Sequence, residues 1–259
     1  MKPVPDPGSR LMVNEDKNWI RDRDLTFVPS EADNYALEEA LRLRERHGGE
    51  VVVLSVGGDR AARVLRAGLA TGADRAIQLA DDLFAGSDEF ATAKIISRAV
   101  EIDGGADLLL AGVQSDDLGT GTTGIMTAER LGWVHASVVI AVDARPEEGR
   151  ARVHRELEGG VNEIVELDLP AVLTIQFGIN QPRYASLKGI MAAKKKELRR
   201  LTSAELGLAA GEVGRTGAGY EVREVFVPER RSRVEIISGT PVEAAVQLVE
   251  KLRKEAKVL

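Results

Sequence analysis

The sequence predicts an α/β fold: a doubly wound, mainly parallel sheet with a β-hairpin and a C-terminal arm that ends in a helix. Three observations predict it. Apolar, β-branched runs alternate with amphipathic stretches of helical period from residue 31 to about residue 142. The runs are apolar at consecutive positions, as strands covered by helices on both faces require. Beyond them the period changes to two around a Gly-Gly pair, the mark of a hairpin.

The elements follow in order. "EADNYALEEALRLRERHG" carries charged and apolar faces at helical spacing, stops at Gly48-Gly49 and feeds the buried strand "EVVVLSVGG". The alternation repeats with "RAARVLRAGLATG" as helix, "RAIQL" as strand, "EFATAKIISRAVEIDG" as helix and "DLLLAGV" as strand. "GIMTAERLGW" is the next helix and "ASVVIAV" the next strand. "RARVHRELEGGVNEIVELDL" alternates about Gly159-Gly160 as a hairpin, and "PAVLTIQFGI" returns to a buried strand. From residue 197 the chain is charged and Gly-rich, with too few apolar residues for a core of its own, until the amphipathic "TPVEAAVQLVEKLRKEAKVL". A doubly wound sheet normally begins with a strand, whereas this chain opens on the turn-like "PVPDPG", and the expectation is a sheet without its first strand.

Bulk properties narrow the function. With 259 residues and 44% apolar content the chain buries a full core. A net charge of -6 argues against a nucleic-acid module, which needs a basic field. Zero cysteines exclude thiolate catalysis and disulfides, and His47, His135 and His154 have no metal-ligand spacing. No apolar run approaches the roughly 18–20 residues of a membrane span, and "MKPVPDPGSR" has no apolar signal core, so a cytoplasmic protein without membrane insertion is expected.

The strongest chemical signal is "GVQSDDLGTGTTGIMTA", a Gly- and Thr-rich loop between a buried strand and a helix. Glycines let backbone amides approach an anion, and the helix N-terminus adds about half a positive charge. A merely flexible loop is the competing reading. "GTGTTG" matches G-x-G-x-x-G, with Asp143 about 20 residues on. In the dinucleotide fingerprint the first glycine directly follows the strand, whereas here Gln114 to Leu118 intervene. "SVGG" at 55–58 ends another strand, and with "FVPSEAD" before the first helix the three loops form a pocket for an adenosine monophosphate-like ligand. No histidine base is assignable to its hydroxyls. Asp116 and Asp117 read equally well as a solvated loop.

The block "RELEGGVNEIVELDLPAVLT", followed by "NQPRYASLKGIMAAKKK", closely resembles the beta subunit of electron transfer flavoproteins. The resemblance extends through "ALEEALRLRE", "LATGADRAIQL", the loop at 114–128 and the C-terminal helix, nearly the whole chain. It implies an adenine-nucleotide-binding, HUP-like domain over 1–196, a recognition loop at 182–196, and an arm at 197–259 that packs on an alpha subunit. That subunit holds the redox FAD, while the beta subunit binds a structural AMP and is no enzyme alone. The family's AMP-contacting positions fall on Ser30, Glu31, Ala32 and Asp33, on Ser55, Val56, Gly57 and Gly58, and on Asp117, Thr120 and Thr127. Gly121, Thr122, Thr123 and Gly124 would cradle the phosphate. Common members carry Asp-Asp-Asp-Ser-Asn-Gln-Thr-Gly where this chain has "DLGTGTTG", so the nucleotide is open between AMP and, as in electron-bifurcating members, a second FAD reduced by NADH.

The resemblance also implies the partner surfaces. Leu187 anchors in an apolar pocket of a partner flavoprotein dehydrogenase, such as an acyl-CoA dehydrogenase, flanked by Tyr184, Ile190 and Met191. Glu156 faces a cationic residue of the alpha subunit's mobile flavin domain, and electrons pass on to a membrane quinone oxidoreductase. Relatives begin with a strand of the type K-I-L-V-C-V-K before x-V-P-D, and Met1 stands where valine is common; this implies a valine codon read as the start and a missing central strand. A stand-alone nucleotide-binding module is the remaining alternative.

Overall fold

The structure, a computed structural model, describes residues 1–228 and 234–259. Two short strands open it, β1 (Pro3–Pro5) and β2 (Phe27–Pro29), paired antiparallel. "PVP" thus forms a strand rather than the expected turn. A two-stranded ribbon tolerates prolines that a central strand would not, because their missing N–H groups can face outward. The alternating region then gives α1 (Glu31–His47), β3 (Val52–Val56), α2 (Asp59–Thr71), β4 (Arg75–Leu79), α3 (Glu89–Ile102), β5 (Leu108–Gly112) and α4 (Thr123–Leu131). β6 (Val134–Arg145), the hairpin strands β7 (Arg150–Glu156) and β8 (Asn162–Asp168), and β9 (Ala171–Ile175) follow. The chain closes with α5 (Leu187–Ala193), β10 (Leu198–Leu201), a single turn α6 (Gly214–Gly217) and α7 (Pro241–Lys251). Among the described residues no helix is long and apolar enough to cross a membrane.

Local chemistry sets several of these limits. The Asp88 carboxylate accepts from the Ala91 amide and starts α3, and Thr240 and Glu243 form a capping box around Pro241 at the start of α7. Gly48, at φ 80°, ends α1 where a side chain would be strained.

Apart from the β1–β2 ribbon, the strands form two sheets, both with parallel pairs. β3, β4 and β10 form one parallel sheet in the order β10-β4-β3. The other has the order β5-β9-β6-β7-β8, parallel from β5 to β6 and antiparallel across the hairpin. β3 and β5 are therefore both edges. A cleft of about 1510 Å3 is lined by both of them, by Ala36, Leu37 and Ala40 of α1, and by Ile96, Ala99 and Val100 of α3. β5, expected to be buried on both faces, is only half-buried along its length, because it borders this cleft. The Met1 ammonium donates to the Leu54 carbonyl (2.6 Å), so the chain start lies against the free edge of β3.

Residues after 197 are not all arm. β10 pairs in parallel with β4, and Leu201, Leu206, Leu208 and Val213 are buried with Ile77, Leu79, Phe84 and Ile95 in one core cluster. The charged "ELRRL" hides this strand because it stands at a sheet edge, where exposed Arg199 and Arg200 are tolerated. α7, by contrast, has no buried residue.

Candidate functional site

Three loops meet at the mouth of the cleft. The first follows β3. Gly57 adopts φ 135°, its amide donates to the Leu79 carbonyl (2.8 Å), and the Gln78 side-chain amide donates to the carbonyls of Gly57 (3.0 Å) and Gly58 (2.9 Å). The first amides of α2 remain without helical partners at this point. Ser55 lies within β3 rather than in the loop; its hydroxyl is buried, unpartnered and on the cleft wall.

The second loop joins β5 to α4. Gly121, at φ 67°, lies so close to the Val113 carbonyl that a Cβ would sit 3.1 Å from it, and a Cβ on Gly124 would sit 2.8 Å from Thr174 Cγ2. These two positions require glycine, and they hold the start of α4 against the sheet. The third loop enters α1. The Asp116 carboxylate accepts from the Ser30 hydroxyl (3.1 Å) and the Glu31 amide (2.7 Å), tying loop two to that helix start. Asp33 bridges the Lys2 amide (2.7 Å) and the Gly112 amide (3.0 Å).

One carboxylate beside this mouth, that of Asp117, is paired with a cation. The Lys2 ammonium lies 2.7 Å from Asp117 and 3.2 Å from the Ser115 hydroxyl. Burial alone would raise the Asp117 carboxyl, but the bonds from Lys2 and Ser115 outweigh it and hold the group below its ordinary value. Asp33, Ser55, Val56, Gly57, Gly58, Asp117, Thr120, Gly121, Thr122, Thr123 and Gly124 line the cleft. Ser30 and Ala32 are buried beside it, Glu31 is exposed, and the buried Thr127 donates its hydroxyl to the Thr123 carbonyl. Lys2 and Gln78 carried no sequence signal. Asp143, at dinucleotide spacing, is exposed on β6 and pairs with Arg145. Two helix N-termini, a buried hydroxyl without a partner and a neutralised carboxylate suit a phosphate-bearing ligand.

The expected recognition segment stands out from the body. Tyr184, Leu187, Ile190 and Met191 are 97%, 84%, 46% and 63% exposed. Its root is pinned. The Arg183 guanidinium clasps Glu38 (2.7 Å) and Glu45 (2.5 Å) of α1, and Arg42 adds a third ion pair to Glu38 (2.9 Å). Burial would raise the Glu38 carboxyl, yet the bonds from Arg183 and Arg42 hold it below its ordinary value of 4.5. Since its folded value is the depressed one, this contribution is present above pH 4.5 and lost as pH falls through the folded value. Amide exchange across residues 183–193, corrected for intrinsic rates, is expected to be steady from pH 7 to 5 and to accelerate below 4.5. Exchange that stays protected well below that range would show that Glu38 does not hold the segment.

Glu156 is exposed at the end of β7, away from the cleft walls, and accepts from the Gln176 side chain (3.1 Å). α7 exposes Val242, Val246 and Val249 on one helical stripe and Leu248 to its side, with Leu252 half-buried.

Comparison with known proteins gives a consistent result. Residues 19–206 match the electron transfer flavoprotein domain. The chain is similar to an electron transfer flavoprotein subunit beta of Methylophilus methylotrophus, with 40% identity over 240 residues, 92% of this chain and 90% of the relative. It is similar to the subunit beta of Thermoanaerobacterium thermosaccharolyticum at 38% identity, covering 97% and 95% of the two chains. The mitochondrial subunit beta of Arabidopsis thaliana is 33% identical, covering 100% and 98%.

Proposed function

The chain belongs to the electron transfer flavoprotein family, among its beta subunits, and on that premise we propose that it forms one half of an electron-carrying heterodimer. The alpha subunit holds most of the FAD binding site, and that flavin, when bound, supplies the one- and two-electron chemistry. This chain's own part is to bind and to orient. Its ridge of Tyr184, Leu187 and Met191 receives flavoprotein dehydrogenases, of which acyl-CoA dehydrogenases are the model class, and the carrier then delivers electrons to a membrane quinone oxidoreductase. The exposure of Leu187, at 84% on a helix whose other side is seated on the body, is the observation that carries this reading. An apolar side chain held out in water at one point suits a transient partner, because one anchor gives specificity without slow release.

The residues at the cleft mouth fit AMP. The amides at the starts of α2 and α4 and the hydroxyls of Thr120, Thr122 and Thr123 suit its phosphate, and the unpartnered Ser55 hydroxyl offers a buried polar contact. One observation favours a second reading, FAD in place of AMP with hydride drawn from NADH: the cleft, at about 1510 Å3, is larger than the roughly 300–1,000 Å3 of an ordinary small-molecule site. The cleft also runs along β3 and β5, so not all of this space belongs to a nucleotide. Extraction of nucleotides from the purified heterodimer separates the two readings.

Leu187→Ala is expected to leave folding and flavin content unchanged and to raise the KM for the dehydrogenase by roughly tenfold, the loss of ~1.4 kcal/mol of anchoring. The same loss with a small artificial electron donor would place the defect in the flavin and refute the docking role.

A further inference from the structure

α5 has seven residues, too few to be helical in isolation, yet it carries the exposed ridge. What holds it is spread along the segment. Ahead of it, Arg183 makes its fork with Glu38 and Glu45, and its own amide also donates to Glu38 (3.2 Å). The Glu38 side chain is only 4% exposed, so this clasp is shielded from solvent on one side. At the start of α5 the Ser186 hydroxyl accepts from the Gly189 amide (3.0 Å). In its middle, Gly189 lies flat on α2: a Cβ there would sit 2.2 Å from the Ala70 carbonyl oxygen, a backbone atom that no side-chain rotation can move. After it, Arg66 donates to the carbonyls of Ala193 (2.7 Å) and Lys196 (3.3 Å). The Lys196 ammonium in turn donates to the Leu69 carbonyl (3.2 Å) and to that of Ala73 at the end of α2.

We infer that Arg183 and Gly189 are positioning residues that preset the docking ridge, so that a partner meets a formed helix rather than a segment it must order. This rests on the docking reading given above and assigns roles to two residues that carry no apolar contact for a partner. An unanchored segment of this length populates its helical form only part of the time, and the apparent affinity for a partner falls by that fraction. Gly189 acts by letting α5 approach α2 without a clash. Arg183 acts by pinning the segment between β9 and α5 to the side of α1, which fixes the direction in which the chain enters α5, and its planar fork cannot be replaced by a lysine's single charge.

The test uses the assembled heterodimer with flavin bound. Steady-state kinetics with an acyl-CoA dehydrogenase as electron donor, kinetics with a small artificial donor, and amide exchange across residues 184–193 are compared for Gly189→Ala, Arg183→Gln, Arg183→Lys, Ser186→Ala and Leu187→Ala. The inference predicts that Gly189→Ala and Arg183→Gln raise the KM for the dehydrogenase roughly tenfold, leave kcat at saturation and the artificial-donor rate in place, and accelerate exchange of α5. Arg183→Lys recovers only part of the loss. Leu187→Ala raises KM with exchange unchanged. Should Gly189→Ala prevent assembly, Ser186→Ala, which removes one cap bond, must show the same pairing of faster exchange with higher KM. Faster exchange at unchanged KM overturns the preset ridge while leaving docking through Leu187 intact. An unchanged KM in Leu187→Ala overturns the docking reading itself.

Discussion

A chain carrying about six extra apolar residues ahead of Met1 is expected to melt roughly 5–10 °C higher than residues 1–259, and to bind AMP more tightly. The expectation comes from the divided sheet. β3 and β5 are both edges, both line the cleft, and the Met1 ammonium already donates to Leu54 in the manner of a first ladder bond. A segment continued backward from Met1 would run along Val53 and Val52 on one side and β5 on the other, with α1 and α3 covering its two faces. Burying five or six aliphatic side chains contributes about 1.5–3 kcal/mol each, while ordering the backbone costs ~1–2 kcal/mol per residue, which leaves a few kcal/mol in hand. At this chain length each kcal/mol is about 2–4 °C. A Gly-Ser extension of the same length supplies no apolar faces and is expected to change nothing. If the apolar and Gly-Ser forms melt together, the cleft does not accept a strand.

Deleting residues 240–259 is expected to abolish co-purification with the alpha subunit while the remaining chain still folds. No residue of α7 is buried, so its loss removes nothing from the core. Its exposed Val242, Val246 and Val249 lie on one helical stripe, and covering that stripe with another subunit contributes several kcal/mol at ~25 cal/mol per Å2. A truncated chain that assembles with its full complement of flavin would refute the role given to this helix.

The sequence made the alternating region legible because each element there obeys one period over a long stretch. The hairpin around Gly159-Gly160 and the helix begun by "TPVE" were equally plain, since turn and cap chemistry is local. What stayed hidden depends on contacts between residues far apart. "ELRRL" reads as a solvated run, yet Leu198 and Leu201 pair beside β4, more than a hundred residues earlier in the chain. The fork from Arg183 to Glu38 spans 145 residues, and no pattern in either segment announces it. At the cleft mouth, the glycines and threonines of the second loop were visible as a phosphate signal. The neutralisation of Asp117 by Lys2 was not, because a lysine at the chain start has no spacing to anything. The half-buried state of β5 was not legible, because it depends on how the two sheets and the cleft between their edges are packed.

The most direct test of the account is to co-express this chain with an electron transfer flavoprotein alpha subunit, purify the complex and count the nucleotides released on denaturation. The expected result is a heterodimer that yields one FAD and one AMP and whose flavin is reduced by an acyl-CoA dehydrogenase but not by NADH. A chain that remains alone, or a complex that yields two FAD and is reduced by NADH, would contradict it.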